Sequence, residues 1–221
     1  MNLFCCKEDK AKQLESEGVI VRSWGEKYAD NKYLAQKYIG KLGYAETLEN
    51  NISDTSKDNS KDYLEILNLY IMSRSEDASS FDRVGCLMSA LKQVRIMIAK
   101  GEQPIERLTT FSRIAIDAGE FFLAGKILST LIIKYRANQN FKINELFLPA
   151  SQRYESISPK SKINEWIFSS IIEQFIVKLG YSSYFMGGDA ILPLFEKLND
   201  LGFISEEMRR RHKLVKSCFL K

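Results

Sequence analysis

The chain has 221 residues, with 32 Lys and Arg against 28 Asp and Glu, one His, four Cys and four Pro. That length is ample for a buried core in one domain or two small ones, and 45% apolar with 27% charged residues excludes collagen-like and wholly disordered chains. The net charge of +4 is mildly basic, and where the excess sits matters more than its size.

In chain order, residues 2–6 form a short apolar run, and residues 7–17 are charged with Ala11 and Leu14 one helical step apart. Gly18 ends that stretch, and Val19, Ile20 and Val21 open a β-branched run that reaches Trp24. The pattern predicts strand, helix, strand, with a connection near the minimum for a parallel crossover. Two parallel strands need further strands and cover on both faces. The expectation is therefore self-association through the N-terminal strands, or a larger α/β domain of which these residues are the closing unit.

From Asp30 the pattern turns helical, with Tyr33, Leu34, Tyr38 and Leu42 on one face and Gly43 as the stop. Residues 49–62 hold Ile52 as their only apolar residue, too little to offset the cost of ordering. They read as a flexible polar linker between a small α/β segment, 1–48, and an all-helical domain, 63–221. In that second part Tyr63, Ile66, Leu67, Tyr70 and Ile71 make one helical stripe, and Val84, Leu87, Met88, Leu91, Val94 and Ile98 another that Gly101 ends. Pro104 opens a further helix, where its missing amide is harmless, and Gly119 separates it from a helix over 120–136. Residues 137–158 read as irregular. Ser158 and Pro159 then resemble a cap and first-turn proline, opening a long helix with Ile163, Trp166, Ile167, Ile171, Phe175 and Leu179 on one side. Two shorter helices follow, near 192–201 and 205–217, and no strand is expected beyond Trp24.

Between Pro104 and Arg136 the order Leu108, Phe111, Ser112, Ala115, Gly119, Ala124, Leu128 runs large, large, small, aromatic-or-small, glycine, alanine, large. Small residues at Ser112 and Ala124 let two antiparallel helices approach closely, and Gly119 suits the turn between them. This order resembles the tetratricopeptide (TPR) helix pair, with Ala115 at a usually aromatic position and Arg136 replacing the terminal proline. A second copy would recur after about 34 residues. Trp166 and Ser170 begin like one, but Gly180 arrives three residues late. The expected fold class is mainly α: TPR-like antiparallel helical hairpins, as an α–α superhelix or irregular bundle, behind a strand–helix–strand remnant. The resemblance implies a concave face for a partner segment and no chemistry. Arg107, Thr110 and Arg113 on the first helix are the candidates to line it, or else form an ordinary solvated side.

Catalysis finds little footing. His212 lies within Arg209-Arg210-Arg211-His212-Lys213, where neighbouring cations disfavour the imidazolium and repel a metal. Cys5, Cys6, Cys86 and Cys218 contain no C-x-x-C spacing and read as small buried hydrophobes in a reducing compartment. No catalytic, metal or cofactor residue is assigned, and no cofactor is expected. Ile39-Gly40-Lys41-Leu42-Gly43 has the look of a KH-domain loop, but Glu46 stands where an apolar residue belongs. Gly187-Gly188-Asp189 carries no following Lys, as a phosphate loop would require. With no signal-like start and no long apolar run, a soluble, cytoplasmic chain without a membrane partner is expected.

The charge is unevenly placed. Residues 208–221 hold six bases and no acid, leaving 26 bases against 28 acids elsewhere. Any contact with phosphate or an acidic partner is thereby confined to Arg209, Arg210, Arg211 and Lys213, and nucleic acid is not the expected partner. Two functions follow. The first is a non-catalytic helical interaction or scaffold module that binds a protein or peptide segment. The alternative is the C-terminal part, or a truncated relative, of a bacterial Rossmann-type transferase (methyltransferase or sugar-modifying), on fold-level analogy alone.

Overall fold

A computed structural model of the chain describes residues 7–17, 19–20, 34–51, 61–101, 104–139, 142–186 and 188–219. Among them the regular structure is ten α-helices: α1 (Glu8–Ser16), α2 (Leu34–Ile39), α3 (Ala45–Asn51), α4 (Lys61–Ser73), α5 (Ser80–Ala99), α6 (Ile105–Asp117), α7 (Phe121–Ala137), α8 (Ile163–Met186), α9 (Gly188–Asp200) and α10 (Glu206–Phe219). A single 3-10 turn spans Gln152–Ser156. Two compact units are built from them, one from Met1–Ala35 with Ser60–Gly101, the other from Gln36–Asn59 with Glu102–Lys221.

The described residues contain no β-strand, which corrects the strand–helix–strand expectation. Where the second strand was to begin, Val19 and Ile20 are bend residues, and both amides point back to the Leu14 carbonyl (2.8 and 3.4 Å). The freed carbonyls at the end of α1 thus capture the chain before it can extend, overriding the β-branched propensity. The rest of the expected strands, residues 2–6 and 21–24, lies outside the described residues. No Rossmann-like segment is present among the described ones, and the transferase alternative loses the feature it rested on. Self-association through N-terminal strands is withdrawn for the same reason, since the described residues there hold no strand edge to pair.

In the first unit, α4 packs on α5. Tyr63, Ile66, Leu67, Tyr70 and Ile71 of α4 are all buried. Helix α5 keeps only part of the stripe its large residues suggest: Leu91 and Val94 are buried together with Gly85, Cys86, Ala90 and Met97, while Val84 is 48% exposed. Small residues admit closer approach of two helix backbones, and close packing outweighs the larger transfer energy of Val84. Ser79 caps α5 by accepting the Asp82 amide (3.1 Å), and buried Asn68 accepts the Ala35 amide (2.8 Å).

In the second unit, α6 and α7 form a hairpin whose turn uses Gly119 at φ 79°, a region open to glycine without strain. Helix α7 packs on α8, α8 on α9, and α9 on α10. Around Trp166, fully buried on α8, Tyr44 (4.7 Å), Tyr154 (5.8 Å) and Phe147 (6.3 Å) converge ring to ring. Helix α8 begins at Ile163 rather than after Pro159, because Lys160 adopts φ 52° and the chain must turn before it can coil. Residues 49–51 close α3 and 61–62 open α4, while 52–60 of the expected linker lie outside the described residues.

The tetratricopeptide label is also corrected to a plain all-helical bundle. The hairpin is followed by extended chain, and its first helix is covered by that chain instead of facing outward.

Candidate functional site: two faces of one hairpin

On α6, Glu106, Arg107, Thr110 and Arg113 fall at one-, three- and three-residue steps, which places them along one side of a helix. Residues 142–151 run against that side as non-helical chain with no partner strand. Their backbone groups need partners from elsewhere, and α6 supplies several. Glu106 Oε1 accepts the Asn144 amide (2.8 Å) and Thr110 Oγ1 accepts the Leu148 amide (2.9 Å). Arg107 donates to both oxygens of Glu145 (2.7 and 3.0 Å). Arg113 donates to the Pro149 carbonyl (3.3 Å) and to Glu155 Oε1 (3.1 Å).

Further contacts hold the same stretch of chain. Tyr44 donates its hydroxyl to the Phe147 carbonyl (2.7 Å), and Tyr38 donates to Glu155 Oε2 (3.1 Å). The Gly43 amide donates to the Glu155 carbonyl (2.8 Å), and a Cβ on Gly43 would stand 2.9 Å from the Ser156 backbone. Arg153 forks onto Glu173 (2.8 and 2.7 Å) and donates to the Phe203 carbonyl (2.6 Å). These are fork-to-carboxylate contacts of the strong, charge-assisted kind. Burial raises the Glu106 carboxyl above its usual range, against the opposing pull of the Asn144 amide. Burial, then Glu173, pushes the Tyr154 phenol up.

The structure therefore brings Arg107, Thr110 and Arg113 together, and places them under a segment of their own chain. Arg113 is 2% exposed and Thr110 fully buried. Of the basic residues, Arg209 and Arg210 approach Glu206 (3.7 and 3.6 Å) and Arg211 pairs with Glu207, each within α10. The acids that match them stand just upstream of the acid-free stretch. Lys213 is exposed on the same helix. The His212 ring stacks on Phe195 (5.3 Å, 2°).

Helix α7 presents a surface that sequence reasoning passed over. It carries Lys126, Lys134 and Arg136 and no acid. Phe122 is 78% exposed, Ile133 66% and Phe121 53%. Eleven residues are just over three turns, so Phe122 and Ile133 share one side about 16 Å apart. Lys126 Nζ stands 4.4 Å from the Phe122 ring centre, and Lys178 of α8 stands 5.0 Å from that of Phe121. The signal was available: Phe121, Phe122, Leu123, Ile127, Leu128, Leu131, Ile132 and Ile133 exceed what one buried stripe can hold.

Among the described residues no three or more His, Cys, Asp or Glu side chains gather as metal ligands would. Cys86 is a buried free thiol whose pKa is raised chiefly by that burial. No described helix is long and apolar enough to cross a membrane. Comparison with known families, curated proteins and solved structures returns no match to this chain.

Proposed function

We propose that the chain is a non-catalytic helical protein-interaction module whose docking face is the exposed side of α7. Its occupant is an amphipathic segment of a partner protein with acidic residues beside its apolar ones. One observation carries the reading: Phe121, Phe122 and Ile133 stand in solvent on a helix that holds three cations and no acid. Exposed apolar groups grouped in this way mark interaction surfaces, and cations around them select an acidic partner over a neutral one. The length of the stripe, about three turns, suits a short helix laid along it.

The test places a photo-crosslinking residue at position 122, with position 84 on α5 as an exposed control. Probes are a synthetic amphipathic Glu/Leu helix, its Lys/Leu counterpart, and phosphatidylserine vesicles. The reading expects saturable crosslinking of the Glu/Leu peptide at 122, weakened by salt, and little at 84 or with the Lys/Leu peptide. Absence of that crosslink overturns it. Sedimentation with the vesicles through Phe122 replaces the partner with a membrane, and crosslinking of 122 to a second copy replaces it with self-association.

A further inference from the structure

Helix α7 carries two lengthwise seams. The buried one runs through Ala124, Leu128, Leu131 and Tyr135, at steps of four, three and four residues. On the opposite side Phe122, Lys126, Ser129, Ile133 and Arg136 follow at steps of four, three, four and three. Phe122, Lys126, Ile133 and Arg136 are exposed, and Ser129 between them is half-buried. At 3.6 residues per turn these five lie within about 80° of arc. A step averaging 3.5 residues is the seam spacing of a two-stranded coiled coil, and here it is held over two heptads.

We infer that the partner helix meets this seam in coiled-coil register, with a carboxylate against Lys126 and a large apolar side chain in the hole bounded by Lys126, Ser129, Thr130 and Ile133. The inference rests on the docking face proposed above and specifies which partner residues that face selects. In such packing each side chain of one helix enters a hole made by four residues of the other. Ser129 is the smallest residue of the seam, so the hole beside it has room for a large side chain. Thr130 donates its hydroxyl to the Lys126 carbonyl (3.0 Å) and so brings no unmet bond to an apolar neighbour. Lys126 Nζ stands 4.4 Å from the Phe122 ring centre, which keeps its charge beside the seam. A cation at a seam position fixes register, because a partner shifted by one turn buries it against an apolar residue without a counter-charge. An ordinary solvated side would carry the same residues and would prefer no register.

The experiment titrates the full chain with fluorescent, helix-stapled Glu/Leu peptides of one composition, read by anisotropy. The registered peptide sets Leu, Glu, Leu, Leu and Glu on its seam, facing Phe122, Lys126, Ser129, Ile133 and Arg136. The displaced peptide moves both seam glutamates one turn along. Each is made in both chain directions. In at least one direction the registered peptide should bind about ten-fold tighter than the displaced one. Lys126→Glu should lose about ten-fold for the registered peptide, and replacing the facing peptide glutamate by lysine should restore it. Lys126 is on the surface, so this exchange leaves the fold intact. Ser129→Leu, which fills the hole, should also weaken the registered peptide about ten-fold. Equal binding of the two peptides, or no recovery in the charge exchange, overturns the register, while crosslinking of both at position 122 keeps the docking face. Binding of neither peptide overturns both.

Discussion

Helix α6 buries polar side chains and helix α7 exposes apolar ones, although the two pack together in one hairpin. On α6, Glu106, Thr109, Thr110, Ser112 and Arg113 are all buried. Buried polar groups are tolerable only when bonded, and here they are: Thr109 and Ser112 to carbonyls of their own helix, the others to residues 144–155. On α7, Phe121, Phe122 and Ile133 are exposed, with Lys178 and Lys126 over the two rings. The contrast teaches that polarity alone does not locate a binding face. The polar residues of α6 are spent on the chain's own irregular segment, and the apolar ones of α7 are those left exposed.

Four substitutions sharpen that contrast, in decreasing order of effect. Arg113→Met removes the guanidinium that Glu155 Oε1 and the Pro149 carbonyl accept from, and removing one member of a buried pair costs about 3–5 kcal/mol. Urea unfolding should show it, and Arg113→Lys should recover only part because one ammonium cannot make both contacts. Gly43→Ala forces a Cβ against the Ser156 backbone and should lose about 1–3 kcal/mol. Glu145→Gln keeps the shape but weakens both bonds from Arg107, for a loss of about 1–2 kcal/mol. Each loss should appear in the same unfolding experiment, read from Trp166 in a Trp24→Phe background.

Glu106→Gln should have a smaller, pH-dependent effect. The Glu106 carboxyl is raised in the folded chain, so the folded state holds its proton more tightly than the unfolded state does. Ionising it costs stability as pH rises from the ordinary carboxylate range through the raised value. The amide keeps an acceptor for Asn144 and never ionises. The melting temperature of Glu106→Gln relative to the parent should therefore be higher at pH 7 than at pH 4. A difference independent of pH would mean that Glu106 ionises alike in the folded and unfolded chains.

How much of this was legible depends on how far each residue's partner lies along the chain. The α4 stripe from Tyr63 to Ile71 and the turn at Gly119 are local features, readable from period and from the need for positive φ. The role of Arg113 was not, because its partners Pro149 and Glu155 lie in a stretch with no periodicity to place it. The strand expected at Val19 failed because a three-residue preference met the open carbonyl of Leu14. In α5 Leu91 and Val94 of the expected stripe are buried, but Gly85, Cys86 and Ala90 pack in place of Val84. On α7 a nearly continuous apolar run shows that some of it must be exposed, but not which side.

The direct test of the inverted hairpin is the unfolding free energy of Phe122→Ser measured beside that of Arg113→Met. An exposed side chain without packing partners should be replaceable within about 0.5 kcal/mol, so Phe122→Ser should unfold with the parent while Arg113→Met falls far below it. Equal losses, or a larger loss from Phe122→Ser, would make Phe122 part of the core and remove the face on which the proposed function rests.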